Sequence, residues 1–206
     1  MSENIEDEAE GPVGITDHEL VALVDMGPTD GGRRALDAIG ILPMLDDEPS
    51  LRAGYATLLV RDLAGIEGEL IVAQHFANAV AAIMGECTEV VRLVITKDSE
   101  PAVRTVFITA PEGAFLLDMT EFGVHAAQPL EPGQDILALI FDVVSGMASS
   151  EAIPLPFVVE VAKFTEAGTR KVALTADLTA WSMRAGGMPA TGSPESVWGT
   201  ARALLG

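Results

Sequence analysis

Twice along this chain a hydrophobic pattern of helical period gives way to one of period two, and that change constrains the fold more than any other feature. The stretch Glu69–Gly85 is apolar at helical spacing and runs into alternating stretches at Glu89–Thr96, Ala102–Ala110 and Ala114–Met119. A second helical stretch, Asp135–Met147, runs into Phe157–Phe164 and Arg170–Trp181. Alternation places every second side chain on one face of a strand, and short turns such as Pro111-Glu112-Gly113 join neighbouring strands antiparallel. The expected fold class is therefore α+β, a mainly antiparallel sheet with helices packed on one face. The order helix-then-hairpins in both halves fits a pseudo-twofold duplication, although helices and hairpins also alternate without one. The expected organisation is a single α+β domain over residues 15–206, with candidate halves at 69–131 and 132–206.

Ahead of this pattern stand shorter helical signals. Thr16 and Glu19 have capping-box spacing, so a helix is expected over Asp17–Met26. Further helices are expected over Arg33–Ile39, over Leu51–Ala64 with Ser50 as its cap, and over Pro194–Leu205 with Ser193 as its cap. Gly123–Leu130 reads as an edge strand, because proline removes a ladder donor. The Gly- and Pro-rich stretch Ala185–Ser193 reads as a loop.

The formal net charge is −19, and it is uneven. Residues 1–50 carry thirteen acidic side chains against two arginines. Residues 1–14 hold Glu3, Glu6, Asp7, Glu8 and Glu10 and few apolar groups, so a disordered acidic tail is expected there. An acidic surface repels phosphate backbones and anionic lipid heads, which argues against nucleic-acid and membrane-surface partners. It suits a basic or apolar protein partner. The single cysteine, Cys87, can form no intrachain disulfide, and the N-terminus lacks the pattern of a signal peptide. No uncharged apolar run reaches the ~18 residues of a membrane span. A cytoplasmic protein is expected.

Chemistry leaves few marks. His18, His75 and His125 are spaced too far apart to share a metal on one helix, and one cysteine cannot make a CxxC site. His75, in an apolar helix, reads as a core residue. Cys87 follows a helix C-terminus between Glu86 and Glu89, surroundings that raise a thiol pKa. The glycine motifs lack the residues of a P-loop, a dinucleotide fold or a nucleophile elbow. Asp46-Asp47-Glu48 does not match a calcium loop. No catalytic residue, metal site or cofactor is assigned. A ligand pocket between helix 69–85 and the sheet is the alternative to a protein partner. An enzyme with an unrecognised carboxylate site, for example around Asp118, Glu121 and His125 near one strand end, is a further alternative, although these residues also group in sequence by chance. Trp181, Met183, Met188 and Trp198 lie near expected turns and chain ends, where aromatic and methionine side chains can form a partner-binding surface; the other reading is that Trp181 and Trp198 close the edges of the core.

The order of elements resembles one family. The stretch Arg33-Arg34-Ala35-Leu36-Asp37-Ala38-Ile39-Gly40-Ile41 is similar to the helical entry of the EspG-type chaperones of type VII secretion, which are acidic actinobacterial proteins. Arg52–Ala64 looks like their next helix, the strands of Val90–Met119 and Val158–Trp181 like the two halves of their sheet, and Pro194–Leu205 like their closing helix. The resemblance implies a non-catalytic chaperone or adaptor that shields a secreted substrate in the cytosol. The chain is short for the family, with little left for the helical bundle and extended loop that hold cargo there.

Overall fold

Nine strands make one antiparallel sheet in the computed structural model, which describes residues 12–150, 153–177, 180–185 and 188–206. The chain enters through β1 (Val13–Thr16), α1 (Asp17–Asp25), α2 (Asp30–Ile39), a short 3-10 turn (Leu42–Asp46) and α3 (Glu48–Val60). A hairpin, β2 (Ala64–Glu67) and β3 (Leu70–Ala73), leads to α4 (His75–Gly85). Four strands follow: β4 (Glu89–Lys97), β5 (Glu100–Ala110), β6 (Gly113–Asp118) and β7 (Val124–Leu130). Then come α5 (Ile136–Ser150), β8 (Phe157–Thr165), β9 (Gly168–Ala176), β10 (Trp181–Ala185), β11 (Met188–Gly192) and α6 (Pro194–Leu205). The large sheet has the order β1-β7-β6-β5-β4-β8-β9-β10-β11, while β2 and β3 form a separate two-stranded sheet.

The α+β class and the antiparallel sheet agree with the sequence. A helix followed by a four-stranded meander does occur twice, and the meanders meet where β4 pairs with β8 in a register centred on Leu93 and Val161. The helices, however, do not lie on one face. Side chains alternate along β4, so Val90 joins a core with α1 to α4, while Val91, Leu93 and Ile95 join a second core with α5 and α6. A two-fold axis normal to the sheet would exchange the antiparallel strands β4 and β8 but keep both helices on one face. With α4 on the first face and α5 on the second, the strands follow the duplication and the helices do not.

Composition explains where the first face is covered. Under the helices it presents Val90, Val106 and Ile108. At the matching positions of the second meander stand Val158, Ala173 and Thr175, none of them buried. Too little apolar surface lies there to hold another helical layer. Where the layer ends, Arg92 reaches across it. Its Nη1 donates to the Ala38 carbonyl at 3.1 Å, and its guanidinium sits 5.3 Å from the Phe164 ring centre.

Several boundaries differ from expectation. Residues 1–11 of the expected tail lie outside the described residues, but Val13 and Gly14 belong to β1, because Ile15 beside them is fully buried and draws the chain onto β7. Strand β7 is consequently not an edge. The helix expected over Leu51–Ala64 starts earlier, on an Asp47 cap, and stops at Val60. The stretch Glu69–Gly85 divides into β3 and α4, since Gly68, at φ +66°, turns the chain back into a hairpin. The Arg170–Trp181 run breaks after Ala176, and the expected loop at Ala185–Ser193 contains β11, a true sheet edge. His75 is exposed at the first position of α4 rather than in the core.

Candidate functional site

The residues with most chemical promise do not converge. The Thr105 hydroxyl donates to Asp118 at 2.8 Å on the face that carries Phe107. His125 points to the opposite face, where its Nε2 lies 2.7 Å from Asp17 and its Nδ1 accepts the Thr120 N–H at 3.3 Å. A backbone donor on Nδ1 leaves the proton of a neutral ring on Nε2, so His125 donates to Asp17. This pair ties β7 to the start of α1, reinforced by the bond from the Asp17 N–H to the Gly123 carbonyl. The sheet itself separates Asp118 from His125. Cys87 is buried, and burial is the main cause that raises its thiol pKa, with Arg34 opposing. Among the described residues no group of three or more His, Cys, Asp and Glu could hold a metal. No helix among them is long and apolar enough to cross a membrane.

The expected aromatic surface is core. Trp181 and Trp198 are 2% and 5% exposed, and Met183 is buried with them on the second face. Phe141 joins the two indoles, edge-on to Trp181 with centres 6.0 Å apart and stacked on Trp198 at 5.7 Å. The backbone of Met188 lies in β11, and its side chain is outside the described residues. These positions look turn-like in sequence because β10 is short and starts at Trp181, yet alternation turns Trp181 and Met183 inward together. Ala77, Val80 and Met84 of α4 pack directly into the first core, and cavities lie at α5 and on the open half of the sheet.

An exposed apolar surface stands elsewhere, on the β2–β3 hairpin. Ile66 and Leu70 are each 69% exposed, and Val60, at the end of α3, is 87% exposed. Ile66 pairs with Ile71 and Leu70 with Glu67, so the two exposed side chains leave opposite faces of the hairpin. A strand with one solvated face ordinarily turns polar groups outward. Here neither face of the tip is covered. Sequence reasoning missed this site because Leu70 and Val72 fit the helical period that continues into α4. Two short apolar runs separated by Glu67-Gly68-Glu69 are the available signal.

The hairpin's base is rigidly held. Leu63 closes α3 by donating to Leu58 at 2.8 Å and accepts from Gln74 at 2.9 Å. Arg61, just before the hairpin, places Nη1 at 2.8 and 2.9 Å from the two Glu19 oxygens and Nη2 at 2.7 Å from the Gly14 carbonyl. Glu19 is fully buried and completes the capping box of α1, accepting from the Thr16 N–H at 2.9 Å. One guanidinium thus joins α1, β1 and the hairpin's base. Arg61→Ala removes the cation from a buried carboxylate. Breaking a wholly buried pair costs about 3–5 kcal/mol. Arg61 is 38% exposed, so solvent screening reduces the expected loss to about 2 kcal/mol in urea unfolding.

No family model matches the chain, and no curated protein matches it.

Proposed function

We propose that the chain is a non-catalytic protein-binding domain, a chaperone or adaptor that shields an apolar segment of a partner. The observation that carries this reading is the β2–β3 hairpin, which presents Ile66 and Leu70 to solvent on both faces while its base is fixed by Arg61 and Leu63. Exposed apolar side chains on an anchored element cost solubility and mark interaction surfaces. The hairpin forms a two-stranded sheet of its own, so its outer edges offer backbone groups to an added strand. Asp62, Glu67 and Glu69 around it favour basic residues flanking the partner's apolar segment. The resemblance to EspG-type chaperones supports a secreted protein as that partner, met in the cytosol. The chain's net charge of −19 would keep such a complex soluble.

The test compares the wild-type chain with Ile66→Ser/Leu70→Ser, both tagged and recovered from the native host. A recurrent partner that co-elutes with the wild type in size-exclusion chromatography and is lost from the variant supports the proposal. The variant's melting temperature should stay within about 2 °C, since exposed substitutions change stability by less than about 0.5 kcal/mol. Retention of the same partner by both proteins, or a lone monomer from both, would refute it.

A further inference from the structure

A cavity of about 420 Å³ lies on the second face, remote in sequence from the hairpin, between α5, the start of α6 and the first residue of β10. Its size falls in the range of small-molecule sites, roughly 300–1,000 Å³. Trp181, the half-buried Phe141, Leu155 and Pro194 supply its apolar lining. The other side is polar and of one sign. Asp177 and Glu195 line it, and no lysine, arginine or histidine does so among the described residues. Glu195 is held below the usual carboxylate range, first by a backbone N–H at the start of α6 and then by the Ser193 hydroxyl, so it is an anion at neutral pH. Ser145 also lines the cavity, and its Oγ is buried without a hydrogen-bond partner.

We propose that this cavity binds a small organic cation, an ammonium group on an aromatic or branched apolar body. The body rests on Phe141 and Trp181, and the ammonium meets the carboxylate side. Aromatic faces attract cations through their quadrupole, and the attraction strengthens where water is partly excluded. An ammonium N–H would also satisfy the Ser145 hydroxyl, which a hydrocarbon cannot do. An anion would meet the Glu195 carboxylate, and no lysine, arginine or histidine is among the described lining residues to attract it. The chain's negative charge further raises the local concentration of cations. This site does not depend on the hairpin, and the protein-binding proposal stands or falls separately.

The chain has two tryptophans, so a ¹⁵N-labelled sample gives two indole N–H signals, assigned with Trp198→Phe. Benzylammonium, benzyl alcohol and benzoate present one ring with positive, neutral and negative groups. Titrated into the millimolar range, benzylammonium should shift the Trp181 signal saturably, benzyl alcohol about tenfold more weakly and benzoate not at all. Ala148→Phe fills the cavity and should abolish the response. Ser149→Leu, at an exposed position on the same rim, serves if that variant fails to fold. Glu195→Gln should bring benzylammonium to within about threefold of benzyl alcohol. No saturable shift with benzylammonium would overturn the proposal. So would equal binding of the alcohol or benzoate, or an unchanged response in the filled cavity.

Discussion

Truncating Trp181 to alanine should lower the unfolding free energy by about 4 kcal/mol, the size typical of a buried aromatic in a packed core. In a chain of this length that corresponds to a fall in Tm of about 10 °C. The expectation follows from the near-complete burial of Trp181, its edge-on contact with Phe141 and its place beside Met183 in the second core. Urea unfolding of the purified variant measures it. A surface anchor would behave differently, losing a partner while stability held. A stability change below about 1 kcal/mol would therefore return Trp181 to the surface and undo the description of the second core.

Gly54→Ala should cost about 3 kcal/mol, against the intrinsic preference of a helix for alanine. A Cβ at this position of α3 would lie 2.0 Å from the His18 carbonyl oxygen and 2.8 Å from the Ala22 Cβ. Those atoms belong to α1, so the two helices would have to separate and reopen the first core. Overpacking of this kind costs about 1–3 kcal/mol, and a backbone oxygen cannot rotate aside, which puts Gly54 at the upper end. Gly199→Ala is the matched control. Gly199 is an exposed position of α6 with nothing within 4 Å of the added atom. There the helix propensity acts alone and should raise stability by up to about 1 kcal/mol. Opposite signs for the same substitution in two helices would locate the α1–α3 contact. A Gly54→Ala variant as stable as the wild type would exclude it.

The elements read correctly from sequence are those in which local and tertiary preferences agree. The capping box at Thr16 and Glu19 forms with both reciprocal bonds, and the Ser193 cap of α6 is in place. Strands β4, β5 and β6 follow their alternation closely. The failures have a common cause. Leu70 and Val72 fit a helix, but Gly68 turns the chain before the helix can start. Val13 and Gly14 follow an acidic segment, but Ile15 needs a buried place and finds it against β7. The face on which each helix packs was not legible at all. Strands β4 and β8 have apolar residues on both faces near their centres, so periodicity allowed either side. Trp181 is read as surface for the converse reason, because nearness to a turn in sequence carries no information about which face a short strand turns inward, and Trp198 lies near the chain end but on the buried face of α6 with Val197, Ala201 and Leu205.

The pairing of β4 with β8 also has a consequence for the newborn chain. About sixty residues separate Lys97 from Phe157, so a ribosome adding roughly 5–20 residues per second emits β8 some 3–12 s after β4. During that interval the β4–β7 meander can close and gather α1 to α4, but the outer edge of β4 has no neighbour. Val91, Leu93 and Ile95 stand bare on its other side. What becomes the centre of the finished sheet is thus, for several seconds of synthesis, its most adhesive margin.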